Sequence, residues 1–168
     1  MSMEKYNKIH FIGIGGISMS SLAEILKSKG KTITGSDGVA SNVTKALENI
    51  GIQVSIGQKA ENITPDTDLI VYTAAVREDN PELMAARASG IETVDRAALV
   101  GMMMLEYKFP LSVAGTHGKT TTSSLVTEIF LEAKANPTVS IGGILPSIKG
   151  NYKVGGEDYF ILETCEYC

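Results

Sequence analysis

The sequence has no surplus of positive charge: 15 Lys and Arg stand against 19 Asp and Glu, a net charge of −4 with histidine neutral. Without a basic field to gather the phosphate backbone, the composition argues against a dedicated nucleic-acid binder. Anionic small ligands stay open, because backbone N–H groups and one or two lysines suffice to hold them. Long hydrophobic runs are also missing. The longest are pieces such as IHFIGIGGI and DLIVYTAAV, well short of the roughly 18 to 20 residues of a membrane-spanning helix, so no membrane partner is expected. The opening MSMEKYNKIHFIGIGG sets charged residues directly before a short apolar strand and lacks a secretory pattern, which makes a cytoplasmic location the expectation. Cysteine is scarce. Cys165 and Cys168 form a single CEYC pair with no second ligand pair elsewhere, so ordinary thiols are expected rather than a zinc site or a disulfide. Internal repeats and low-complexity segments are absent as well.

What is present fits a globular chain: 43% hydrophobic and 20% charged residues, enough for one core, or for one domain and part of another. Strand-like and helix-like stretches alternate from the start. KIHFIGI (8–14) is a short apolar run closed by glycines, and SMSSLAEILKSKG places Leu22, Ile25 and Leu26 on one face before stopping at Gly30. KTITGSD, IQVSIG, DLIVYT (68–73) and IETV read as further strands, separated by helices over NVTKALENIG, around 81–89 after Asn80-Pro81, and around 95–105. The alternation implies a parallel sheet with helices on both faces, a Rossmann-like α/β domain. Near Tyr107–Pro110 the pattern restarts with the strand PLSVA. A helix follows with Leu125, Val126, Ile129, Phe130 and Ala133 at helical spacing, then the strand TVSIGG, a loop containing Pro146, Gly150, Gly155 and Gly156, and the strand DYFILE. We therefore expect a first domain over residues 1–107 and the opening of a second over 108–168, the latter marginal by itself at that size.

The strongest chemical signal lies where that second pattern begins. Ser112-Val113-Ala114 runs into Gly115-Thr116-His117-Gly118-Lys119-Thr120-Thr121 and then into a helix. Glycines let backbone N–H groups turn toward phosphate oxygens, and a helix N-terminus adds its dipole and unpaired donors. Lys119 would neutralise β- and γ-phosphates, and the Thr120 hydroxyl would sit on Mg²⁺. Gly115 and Gly118 are separated by two residues rather than the four of the general P-loop pattern, but the strand–loop–helix context is retained. His117 either contacts the ligand or packs the loop. Glu163 and Glu166 follow the strand DYFIL, where a carboxylate beside a phosphate loop could reach Mg²⁺ or could be a solvated strand end.

An earlier glycine cluster, Gly13, Gly15 and Gly16, closes the first strand, with Ile17, Ser18, Met19 and Ser20 opening the helix. This turn favours a pyrophosphate, although Ser18 stands where GxGxxG has its third glycine. Asp37 at the end of the second strand suits a ribose or a base edge. NAD would fit the same pattern, and so would a tight turn with no ligand. His10, on an apolar strand, reads as structural, and Met102 to Met104 as core or an interdomain seam.

Taken together, HFIGIGGISMSSLAEIL near the start, GSD at 35–37, YTAAVREDNPEL at 72–83, AGTHGKTTT at 114–122 and ILETCEYC resemble the Mur ligase family over essentially the whole chain. The resemblance implies an N-terminal UDP-binding domain followed by the front of a central ATPase domain. It implies an ATP- and Mg²⁺-dependent ligation in which L-alanine joins the carboxylate of UDP-N-acetylmuramate through an acyl phosphate. By the same resemblance Gly115, Thr116, His117, Gly118, Lys119, Thr120 and Thr121 hold ATP, with Lys119 stabilising charge in transfer. Thr120 and Glu163 serve the metal, with Glu166 as the fallback. Gly15, Gly16, Ile17, Ser18 and Met19 face the UDP diphosphate, and Ser36 and Asp37 the uridine. Family members commonly continue into a lysine and histidine set and an amino-acid-binding domain, so this chain alone is not expected to make the amide. A murein-peptide recycling ligase of the same family, a nicotinamide-dependent oxidoreductase and a non-catalytic nucleotide-binding module are the competing readings. The motifs leave oligomeric state open.

Overall fold

Every side chain from Ile9 to Ile12 is buried: Ile9, Phe11 and Ile12 completely, and His10 to 3% exposure. Successive strand residues point to opposite faces, so the strand they form, β1 (Lys8–Ile12), is covered above and below. The computed structural model describes residues 3–164. After β1 come α1 (Ile17–Ser28), β2 (Thr32–Asp37), α2 (Asn42–Asn49), β3 (Gln53–Ile56), β4 (Leu69–Tyr72), α3 (Pro81–Ala88), β5 (Glu92–Asp95) and α4 (Arg96–Met104). The chain divides into two compact units, and the cut, between Val100 and Gly101, falls inside α4.

In the unit Met3–Val100 the five strands run in the order β3-β2-β1-β4-β5, every neighbouring pair parallel. This is the α/β fold with alternating helices that the sequence pattern suggests. Leu83 and Ala86 of α3 close over Ile12 and Ile70 on one face, and α1 buries Leu22, Ile25 and Leu26. Strand order reverses at β1, which lies between β2 and β4, and such a reversal opens a crevice at the carboxyl ends of the strands. The residues that follow β1, β2 and β4 therefore lie at the edge where ligands bind in such sheets.

The second unit is built from β6 (Phe109–Val113), α5 (Lys119–Glu132), β7 (Thr138–Leu145), β8 (Gly150–Lys153) and β9 (Tyr159–Glu163). Its sheet order is β6-β9-β7-β8, with β6 and β7 parallel to β9 and β8 antiparallel to β7. Val139, Ile141, Leu145 and Ile161 form its core, covered by Val126, Phe130 and Ile148. Two expectations need correcting. The segment around Gly150 is a strand, not a loop: Pro146 starts a 3-10 turn, Lys149 takes a left-handed φ of 54°, and the chain doubles back as a hairpin. The apolar stripe of α5 is also split. Val126 and Phe130 pack on the sheet, whereas Leu125 and Ile129 are 60% and 65% exposed, and the wholly buried positions are Ser123 and Thr127. Those hydroxyls can be buried because each donates to a carbonyl one turn back, Ser123 to Thr120 at 3.1 Å and Thr127 to Ser123 at 2.8 Å. Met102 and Met103 are core residues. Among the described residues no helix is long and apolar enough to cross a membrane. Cys165, Glu166 and Cys168 lie outside the described residues.

Candidate functional site

Strand β6 ends at Val113 and α5 begins at Lys119, so the intervening loop must turn the chain within five residues. Gly118 makes the final turn with φ 73°, a left-handed conformation that costs glycine little, and it stands as the N-cap of α5 with no side chain capping the helix. Uncapped first-turn amides and the helix dipole make such a terminus receptive to anions. The Lys119 ammonium folds back over the loop, donating to the Gly115 carbonyl and, at 3.5 Å, to that of Thr116. Thr116, His117, Gly118, Lys119, Thr120, Thr121 and Glu163 line one open cavity of about 380 Å³. All seven are residues singled out in the sequence. Gly115 contributes its carbonyl to Lys119, and the His117 side chain is exposed.

Glu163 reaches this cavity because β9 pairs in parallel with β6, its last residue opposite Val113. Its carboxylate accepts the Thr120 hydroxyl at 3.1 Å, the Ser123 hydroxyl at 3.4 Å and the Gly142 amide at 2.9 Å. A Cβ at Gly142 would stand 2.9 Å from both carboxylate oxygens, so a side chain there would push the Glu163 carboxylate out of this position. Ser123 and Gly142 escaped the sequence reading. The glycine pair 142–143 inside a strand pattern is the signal that could have found the second. One carboxylate and one hydroxyl are hard oxygen donors of the kind Mg²⁺ accepts when phosphate oxygens and water complete its shell. No group of three His, Cys, Asp or Glu side chains converges among the described residues, so an ion here would depend on a bound phosphate.

The second anion-binding candidate is the turn Gly13–Gly16 between β1 and α1. Gly16 is the N-cap of α1, again without a side-chain cap. Ile17 is 59% exposed, and Ser18 receives the Arg96 guanidinium, Nη1 to Oγ, at 3.3 Å. This brings a half-buried cation that the sequence reading missed to the first turn of α1. Two expected contacts are revised. Met19 is 2% exposed and belongs to the core, so only its main chain is near the turn. Ser36 is completely buried: its hydroxyl donates to Glu82 at 2.6 Å, and its carbonyl accepts the Gly13 and Ile14 amides at 2.8 and 2.9 Å. It shapes the turn from behind and offers no side chain to a ligand. Asp37 is engaged as well, accepting the Gly15 amide at 2.9 Å and the Val39 amide at 3.2 Å. A diphosphate taking the Gly15 amide would have to displace that carboxylate oxygen.

Comparison with known proteins adds a second line of observation. A model described as the Mur ligase family, catalytic domain, matches residues 8–108, a span that ends before the lysine loop. A UDP-N-acetylmuramate–L-alanine ligase of Agathobacter rectalis is 58% identical over 95% of this chain, and that of Acetivibrio thermocellus 53% over 97%. The chain spans about a third of the length of these curated relatives, 35% and 34% respectively. The crystal structure of UDP-N-acetylmuramate–alanine ligase from Thermotoga maritima superposes with a TM-score of 0.86 at 37% identity, covering 95% of this chain and 37% of that one. A UDP-N-acetylmuramate:L-alanyl-γ-D-glutamyl-meso-diaminopimelate ligase from Neisseria meningitides gives 0.84 at 27% identity, covering 96% and 55%.

Proposed function

The chain belongs to the Mur ligase family, and on that premise we propose that it grips the two nucleotides of an ATP-dependent ligase of peptidoglycan precursor synthesis, the one joining L-alanine to the carboxylate of UDP-N-acetylmuramate. The observation that carries this reading is the cavity at the uncapped, glycine-led start of α5, where Lys119, Thr120 and Glu163 converge. The alanine-adding activity is favoured over the recycling one by the identities to the solved structures, 37% against 27%. Residues 1–107 would form the sugar-nucleotide domain and 108–168 the front of the ATP domain, in a protein of the cytoplasm.

The roles follow from the chemistry of each group. Amides of the loop 115–121 and the first turn of α5 bind the β- and γ-phosphates of ATP, which the helix dipole favours. Lys119 exchanges its loop carbonyls for phosphate oxygens and offsets the charge that gathers on them during transfer. Thr120 and Glu163 would hold Mg²⁺, which would supply charge to offset that of the phosphates, with Ser123 and the Gly142 amide keeping the carboxylate aimed. When bound, ATP supplies a phosphoryl group to the muramyl carboxylate; the amine of alanine attacks the resulting acyl phosphate, and amide, ADP and phosphate leave. A free carboxylate is a poor acyl donor, which is why the mixed anhydride is needed. In the other unit the amides of Gly15, Gly16 and the first turn of α1, with Arg96 beside them, receive the UDP diphosphate, and Asp37 turns from Gly15 to the uridine.

Titration calorimetry on the 168-residue chain tests the sugar-nucleotide half of this reading. UDP-N-acetylmuramate is expected to bind saturably, Arg96→Ala to weaken it by about tenfold, and NADH to give no heat. Tight NADH binding with no response to the UDP-sugar would assign the glycine turn to a dinucleotide cofactor instead.

A further inference from the structure

Four polar side chains of the first unit form one continuous chain through its interior. Thr34 Oγ1 lies 2.8 Å from His10 Nδ1, His10 Nε2 lies 2.8 Å from Glu82 Oε1, and Ser36 Oγ lies 2.6 Å from Glu82 Oε2. His10, Glu82 and Ser36 are 3%, 0% and 0% exposed. The Ser36 hydroxyl donates to Glu82 Oε2, and His10 Nε2 shares a proton with Glu82 Oε1 on the other side. Glu82 is thus solvated from two sides, and its place in the first turn of α3 adds the helix dipole. Burying a carboxylate this completely is costly unless it is fully bonded, and an apolar residue on this face would pack beside Leu83 at no such cost. The chain also has a direction. One end, at His10 and Thr34, opens into a polar cavity of about 150 Å³ lined also by Lys8, Gln53 and Ser55. The other end is Ser36, whose carbonyl holds the amides of Gly13 and Ile14.

We propose that Glu82 and Ser36 are positioning residues for the diphosphate turn: the buried carboxylate fixes the Ser36 side chain, and Ser36 fixes the backbone of Gly13 and Ile14 and with it the course of the Gly13–Gly16 turn, in which Asp37 holds the Gly15 amide and the Gly16 amide lies 3.4 Å from the Gly13 carbonyl. This rests on the reading of that turn as the UDP-sugar site. Glu82 touches no ligand and acts through Ser36.

Two readouts on the 168-residue chain test it: the Kd for UDP-N-acetylmuramate, and hydrogen exchange at the Gly13 and Ile14 amides without ligand. Ser36→Ala cuts the link, and Glu82→Leu removes it from the other side. Each is expected to raise Kd about tenfold and to speed exchange at both amides, and the double variant is expected to be no worse than the poorer single one. Glu82→Gln can still accept from Ser36 through its amide oxygen and donate to an unprotonated His10 Nε2, so it should stay within about threefold of the parent. Leu83→Ala, an apolar cavity variant on the same helix face, should lower Tm and leave both readouts unchanged. Should Glu82→Leu fail to fold, Ser36→Ala decides alone. Unchanged exchange and Kd in Ser36→Ala, or equal effects in Leu83→Ala, would overturn the proposal. If the parent chain ignores the UDP-sugar, the functional reading falls, and exchange still decides whether Ser36 and Glu82 hold the turn.

Discussion

At the scale of single residues, carboxylates in this chain work by collecting backbone amides as much as by meeting cations. Asp37 holds Gly15 and Val39, Glu163 holds Gly142, and Asp68 accepts the amides of Asn7 and Lys8 at 2.8 and 2.9 Å. For Asp68 those two backbone bonds hold the carboxyl below the ordinary aspartate value of 3.8. A folded-state pKa below the unfolded one means that the unfolded chain binds the proton more readily. The stabilisation is therefore fully present above the unfolded value and is lost as pH falls through the folded one. Asp66, Glu78 and Glu92, drawn down mainly by Lys8, Arg87 and Tyr6 with Lys5, act in the same direction. Urea unfolding of Asp68→Asn between about pH 3 and 6 should show a shallower loss of stability on the acid side than the parent. An identical acid slope in the two proteins would mean that Asp68 carries none of it.

At the scale of elements, the helix starts divide by what caps them. Helix α2 has a reciprocal capping box between Ser41 and Thr44, and α3 is capped by Asn80, which accepts the Glu82 and Leu83 amides at 2.9 and 3.1 Å behind a proline at the first helical position. Helices α1 and α5 start from glycine with no side chain supplied. The two self-capped helices satisfy first-turn amides with their own side chains, and the two glycine-led ones have no side-chain cap. Asn80→Ala should cost about 1 kcal/mol, read as a lower urea midpoint with an unchanged m-value; a midpoint equal to that of the parent would show that water caps α3 equally well. These starts were legible in the sequence because they are local: Asn-Pro, Gly-Gly and Gly-Lys dictate backbone and donors within a few residues. The partners of Glu82 were not. The carboxylate meets Ser36 and His10, 46 and 72 positions away, and only the strand order brings them together. Ser36 illustrates the limit: its neighbour Asp37, the last residue of β2, is half-buried, whereas Ser36 is completely buried. Helix α5 misled for the opposite reason. Its apolar spacing was real, but the sheet takes only half of that stripe and buries hydroxyls beside it.

At the scale of the whole molecule, the same device occurs twice. Each unit runs a parallel strand into a glycine turn and an uncapped helix, and each supplies one cation at the turn, Arg96 in the first and Lys119 in the second. They differ in what stands opposite. The second turn faces the Glu163 carboxylate, which accepts the Thr120 hydroxyl, whereas in the first turn Asp37 is bonded to the turn's own Gly15 amide. On the proposed reading, two turns of unlike chemistry should accept two nucleotides independently. The direct test is calorimetric titration of MgATP and UDP-N-acetylmuramate, separately and in succession, into the parent chain and into Lys119→Ala. The account predicts that the parent binds both without competition and that Lys119→Ala loses at least about tenfold in ATP affinity while keeping its affinity for the UDP-sugar. Competition between the two nucleotides, or an ATP affinity unchanged in Lys119→Ala, would contradict it.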